Sequence, residues 1–254
     1  MKKRLSNKNA VIFGGAGRIG KMTTLAYLEN GANVFIIDNN EKRIEELIDE
    51  IPSEYRNNFF YYCKSVNFIG DAKEITETVL KSFKKIDILV NCPAYIYRKE
   101  FINHPVVELD DSWNINVRIV FLVSQFVAKN MIANNGGKII NIASVGGTKP
   151  QKYHVSHCAV KAAVIAMSRV MALELAENNI QVNVVAPGPT ETIPFSSDYY
   201  EKNPQALKEI ENKTPMSRIG NVNDHKGLMV FLASDESNWI TGQVILSDGG
   251  LGLN

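Results

Sequence analysis

Short apolar runs alternate along the chain with stretches whose apolar positions recur every three or four residues. The runs at 10–13, 33–38, 59–66, 86–91, 138–143, 180–186 and 243–247 read as buried strands. Between them, helical stripes are predicted over 21–29, 41–51, 71–83, 156–178 and 224–233. A longer helix is predicted from a cap at Asp110, Asp111 or Ser112 to about Asn134, with Trp113, Val117, Val120, Phe121, Ser124 and Val127 on its inner face. Strands alternating with helices imply one α/β domain over residues 1–254, with a doubly wound parallel sheet of about seven strands. Ligands on such sheets bind beyond the carboxyl ends of the strands.

The first strand, turn, helix and strand carry the most specific signal. The turn reads Gly14-Gly15-Ala16-Gly17-Arg18-Ile19-Gly20, and the second strand ends at Asp38. Glycines let the backbone approach a pyrophosphate, and the helix start points unpaired N–H groups at it. A carboxylate at Asp38 can accept hydrogen bonds from an adenosine ribose. A glycine-rich turn alone would say little; its spacing to Asp38 makes a dinucleotide site the reading.

Composition narrows the alternatives. Lys plus Arg number 28 against 27 Asp plus Glu, so no net field draws nucleic acid or an acidic membrane. The basic start, Lys2-Lys3-Arg4, is not followed by a signal-like apolar run, and the apolar stretch 119–123 is too short to span a bilayer. Cys63, Cys92 and Cys158 match no zinc or redox spacing and fit reduced thiols in a cytoplasm.

Several further motifs agree in order and spacing. They are Asp87-Ile88-Leu89-Val90-Asn91, Asn116 in the long helix, Ile140-Asn141-Ile142-Ala143-Ser144, Pro187-Gly188 with Thr192, and Thr241-Gly242-Gln243 through Asp248-Gly249-Gly250. With the glycine loop they make the chain resemble the short-chain dehydrogenase/reductase family along nearly its whole length. The resemblance implies a Rossmann fold, an oxidoreductase acting on a small-molecule substrate, and a homodimer or homotetramer. It implies cofactor contacts at Gly14, Gly17, Arg18, Ile19, Gly20, Asp38, Val66, Asn91, Lys161, Pro187, Gly188 and Thr192. Ser144, Asn116 and Lys161 fall where the family keeps catalytic residues.

The departures from the family pattern are specific. Four residues before Lys161, where the family usually has a tyrosine, stands His157. The turn after Asn91 reads Cys92-Pro93-Ala94, with no N–H at Pro93 and a methyl at Ala94 beside the cofactor. Phe13, Arg18 and Ser65 also replace usual residues. An imidazole suits acid/base chemistry near neutrality and accepts a proton from an alcohol more readily than it protonates a carbonyl product. Two readings of His157 stand open: proton transfer, or a residue that only lines the pocket. Tyr153 and His154, just upstream, are candidates for the pocket wall, and Tyr153 could supply a phenol in a conjugate (enoyl-type) reduction.

Asp38 would repel a ribose 2′-phosphate, which favours NAD(H) over NADP(H), although Arg18, Lys42 and Arg43 are near. Residues 190–213, polar and with a Tyr199-Tyr200 pair, read as a lid over the substrate. No metal site is expected. The remaining alternative is a nucleotide-binding chain without chemistry that serves as a partner subunit.

Overall fold

The computed structural model describes residues 3–191 and 204–253. All seven apolar runs are strands: β1 (Asn9–Phe13), β2 (Asn33–Asp38), β3 (Phe59–Cys63), β4 (Ile88–Asn91), β5 (Gly137–Ile142), β6 (Ile180–Pro187) and β7 (Val244–Ser247). They form one parallel sheet in the order β3-β2-β1-β4-β5-β6-β7. The order reverses between β1 and β4, which opens a crevice at their carboxyl ends.

The period of two along each strand divides the core between the two faces. Ala10 and Ile12 of β1, Val34 and Ile36 of β2, and Ile88 and Val90 of β4 pack on one face. There they meet helices α1 (Arg18–Glu29) and α2 (Glu41–Glu50), together with the helix Lys226–Ala233. Val11, Phe13, Phe35, Ile37 and Leu89 pack on the other, against α3 (Ile69–Ser82) and the long helix before β5.

Local chemistry moved several boundaries. α1 begins at Arg18, not Lys21, because Gly17 already holds the extended geometry of an N-cap. β3 stops at Cys63 rather than Val66, since the Asp71 carboxylate accepts the Asn67 and Phe68 N–H groups and starts α3 early. β4 begins at Ile88, two residues late.

The long helix begins after Pro105 as α4 (Val106–Trp113), not at the Asp110–Ser112 cap. It passes through a π-helical turn, Asn114–Arg118, into α5 (Ile119–Ala133). The wider turn puts the stripes before and after it out of phase. Val117, Val120, Ser124 and Val127 are buried as expected, but Trp113 and Phe121 are 48% and 49% exposed. The helical span Val106–Ala133 is long and apolar enough to cross a membrane, yet half of its most apolar window is buried within the domain, as in a core helix.

α6 (Val155–Leu175) follows β5, and α7 (Pro204–Lys213) starts with proline at its first position. The last predicted helix is a 3₁₀ turn, Val222–His225, followed by α8 (Lys226–Ala233). Of the expected lid, Thr192, Tyr199 and Tyr200 lie outside the described residues.

Candidate active site

At the end of β1 the chain turns through Gly14, whose φ of +71° a side chain would strain. A Cβ there would lie 2.5 Å from the Cys92 carbonyl oxygen, and one at Gly20 would lie 2.0 Å from the Gly14 oxygen. The loop thus closes on itself, on Cys92 and on the start of α1. No side chain caps α1 at Gly17, which leaves its first N–H groups facing the crevice. Asp38, at the end of β2, accepts the Ala16 N–H at 3.1 Å through one oxygen and the Asn40 N–H at 3.1 Å through the other. A close-approach glycine loop, an uncapped helix start and a carboxylate beside them fit a dinucleotide. Ile19, in the first turn of α1, is partly buried against one core cluster, and Val66 against the other.

Arg18 is engaged elsewhere than at Asp38. Its guanidinium donates to the Glu191 carbonyl at 3.2 Å, tying the glycine loop to the segment that leaves β6.

Across the crevice, α6 brings Lys161 under the strand ends. Its ammonium donates to the Ile142 carbonyl at 3.0 Å and, at 3.5 Å, to the Pro93 carbonyl. Burial pushes it down to about 8, with Cys92 opposing. Two of its three protons are occupied, so one donor remains for a ligand.

The asparagines lie below this level. Asn91 donates to Ser124 at 3.0 Å and to Asn141 at 2.8 Å, and Asn141 donates to Ser168 at 2.8 Å. This buried network joins β4, β5, α5 and α6, and turns the Asn91 side chain away from the crevice. Asn116, in the π-helical turn, donates to the Tyr95 and Ser112 carbonyls at 3.0 Å each and so holds the turn after β4. The Oδ1 atoms of both Asn91 and Asn116 are buried without a partner.

Ser144 leaves β5 and accepts the Gly146 N–H at 3.1 Å. A Cβ at Gly146 would sit 3.5 Å from Ser144 Oγ and 3.3 Å from His157 Cδ2. The absence of a side chain at Gly146 therefore brings the serine and the imidazole to one small space. His157 is 6% exposed, and its Nδ1 is buried with no partner. Burial first, then the Lys161 charge and His154, push its imidazole down to about 3.

His154 heads α6 with its ring 6.1 Å from that of His157, and its Nδ1 lies 2.8 Å from the Lys152 carbonyl. Burial lowers its pKa as well, with the Lys152 hydrogen bond opposing. Tyr153 stands apart: at φ +68° its ring is 45% exposed under the Arg98 guanidinium, and its carbonyl accepts the Lys99 N–H. Ala94 is likewise exposed. Cys92 and Cys158 are free thiols raised by burial, Cys92 to about 11, which keeps them protonated and unreactive.

Pro187 ends β6, and Gly188 follows in close contact with Asp248. Sequence reasoning missed the neighbour that holds this turn, the buried His225 between Thr190 and Ser247. A lone histidine at a helix start carries no pattern that marks it.

Residues 14–252 match the family model described as enoyl-(acyl carrier protein) reductase. A 3-oxoacyl-acyl-carrier-protein reductase of Thermotoga maritima is 36% identical, the alignment covering 98% of this chain and 99% of that protein. A 2-dehydro-3-deoxy-D-gluconate 5-dehydrogenase of Escherichia coli is 34% identical over 97% of this chain and 96% of that one. Among solved structures, a 7α-hydroxysteroid dehydrogenase complexed with NADH and 7-oxo glycochenodeoxycholic acid superposes with a TM-score of 0.91. It is 29% identical, with 98% of this chain and 96% of that one covered.

Proposed function

The chain belongs to the short-chain dehydrogenase/reductase family, and from that premise we propose that it is an NAD(H)-dependent oxidoreductase of small alcohols or carbonyls, with His157 in place of the usual phenol. One observation carries the reading: Ser144 and His157 meet beside Gly146, and Lys161, one turn further along α6, has its ammonium on the Ile142 carbonyl at the end of β5.

Residues Gly14 to Gly20 and the start of α1 would hold the diphosphate, Asp38 the adenosine ribose, and Lys161 the second ribose. Pro187 and Gly188 would border the nicotinamide. The bound dinucleotide supplies the hydride acceptor or donor. Asp38 argues for NAD(H), because its charge opposes a 2′-phosphate and Arg18 is engaged with the Glu191 carbonyl.

The electrostatics bear on the proton step. Burial and Lys161 keep His157 neutral at any ordinary pH, so it has no acidic proton ready for a carbonyl product. It can accept a hydrogen bond from an alcohol whose oxygen Ser144 would also hold, but as a weak base it would have to pass on any proton it takes. Lys161, at about 8, is able to exchange a proton near neutrality.

The relatives' named substrates are an acyl thioester, a sugar acid and a bile acid. The described residues select none of these. An apolar row on α4, α5 and α6, including Val106, Val107, Trp113, Phe121, Val170 and Leu173, is exposed and suits packing between copies in a homodimer or homotetramer. Titration with NADH, followed by turnover of NAD+ against a panel of secondary alcohols, tests the reading. Binding without turnover of any alcohol, ketone or enone would favour a nucleotide-binding subunit instead.

A further inference from the structure

His225 closes the 3₁₀ turn ahead of α8 and is 2% exposed. Its Nε2 lies 3.0 Å from Thr190 Oγ1 and its Nδ1 lies 2.8 Å from Ser247 Oγ. The tautomer follows from the neighbours. Thr190 donates its one proton to the Gly188 carbonyl at 2.9 Å, so it accepts from the imidazole, and Nε2 carries the hydrogen. Nδ1 is then an acceptor, and the Ser247 hydroxyl donates to it. Both ring nitrogens and both hydroxyls are satisfied in one arrangement.

The two hydroxyls stand at the ends of neighbouring strands. Ser247 pairs with Pro187 in the sheet, and its carbonyl accepts the Gly188 N–H at 3.0 Å. Gly188 is therefore held at both ends, its N–H by Ser247 and its C=O by Thr190. Beyond it, the Gly220 N–H donates to Pro189 and the Glu191 N–H to Gly220, both at 2.8 Å. An apolar side chain would fill the place of His225 at lower desolvation cost, whereas a fully satisfied polar network specifies one geometry.

We propose that His225 is a positioning residue for the nicotinamide end of the cofactor, acting through Thr190 and Ser247 to fix the orientation of the Gly188 turn. The inference rests on the dinucleotide reading above. It assigns His225 to the half of the site remote from Asp38, so its loss should separate the two halves of the ligand.

The test compares NADH with ADP-ribose, which lacks the nicotinamide, on purified native protein and on His225→Leu, Thr190→Val and the double variant. Native protein is expected to bind both. His225→Leu should weaken NADH by about tenfold, a loss of about 1.4 kcal/mol, while ADP-ribose affinity and Tm stay near native. Thr190→Val should do the same, and the double variant should be no worse than either single one, because both break one network. His225→Gln, whose amide can serve both hydroxyls, should recover most of the NADH affinity. Should His225→Leu not fold, Ser247→Ala and His225→Gln carry the comparison, Ser247→Ala losing NADH selectively and His225→Gln staying near native. An unchanged ratio of NADH to ADP-ribose affinity overturns the inference, as does a parallel loss of both with Tm. Native protein that binds no NADH would remove the dinucleotide reading itself, a different outcome.

Discussion

Lys161 stands one helical turn after His157 on α6, and both are buried beneath the same strand ends, 4% and 6% exposed. The ammonium is fixed by the Ile142 and Pro93 carbonyls, and its charge adds to burial in holding the imidazole neutral. A group arranged in this way is an uncharged hydrogen-bond acceptor and a weak base, so any proton it takes from a substrate hydroxyl must be passed on rather than kept.

The pH profile follows directly. His157 is neutral above about pH 3, so alcohol oxidation should show no rising limb through the ordinary histidine range near 6.5. The change near neutrality should fall at about 8, where Lys161 loses its proton and its hold on a ribose hydroxyl. The measurement is kcat/KM for the best alcohol from pH 5 to 9. A rising limb centred near 6.5 would contradict the depressed imidazole.

Stability should fall on the acid side. In the unfolded chain His157 titrates near 6.5, while in the fold it is held at about 3; His154 and His225 are also lowered by burial. The unfolded state therefore binds more protons below pH 6.5, and stability is lost as pH falls through that value. For His157 alone the loss is roughly 2 kcal/mol by pH 5. Urea titrations at pH 7 and pH 5 read it, and His157→Phe should flatten the difference by about that amount. Equal stability of the native protein at both pH values would count against the buried neutral imidazole.

Cofactor choice tests the β2 end of the site. Asp38→Ser should weaken NADH and admit NADPH, narrowing the preference by about tenfold or more, since one like-charge opposition is removed. Two hydrogen bonds to the Ala16 and Asn40 N–H groups are also changed, so the loop should loosen and Tm should drop modestly. Native protein that prefers NADPH would show that Arg18 governs instead.

Assembly is read by sedimentation. Leu173 on α6 is 81% exposed, and Phe121 on α5 is half exposed. Replacing both with Glu should convert an oligomer to a smaller species without loss of Tm at low protein concentration. A native monomer at micromolar concentration would contradict the proposed packing.

Much of the architecture was legible in the chain because the signal is periodic. Each apolar run became a strand in register, and the glycine turn with Asp38 marked the crevice. Trp113 and Phe121 were misplaced because a π-helical turn at Asn114–Arg118 changes the phase of a stripe that periodicity treats as continuous. The Asn91–Asn141–Ser168 network and the Thr190–His225–Ser247 bridge were invisible because their partners are far apart in sequence and meet only when the sheet forms. The left-handed backbone at Tyr153, which places its ring under Arg98, has no sequence pattern that marks it.

In the proposed reaction His157 takes the proton of the substrate hydroxyl beside Lys161 and Ser144, and everything else about the chemistry depends on that step. It is probed by the single-turnover rate of NAD+ reduction with the best alcohol, for native protein, His157→Phe and His157→Tyr. The Phe variant should lose about a hundredfold or more, with NADH affinity retained. The Tyr variant should keep activity and gain carbonyl reduction, because a phenol can give a proton that a neutral imidazole cannot. A Phe variant that oxidises the alcohol at the native rate would contradict a proton-transfer role for His157.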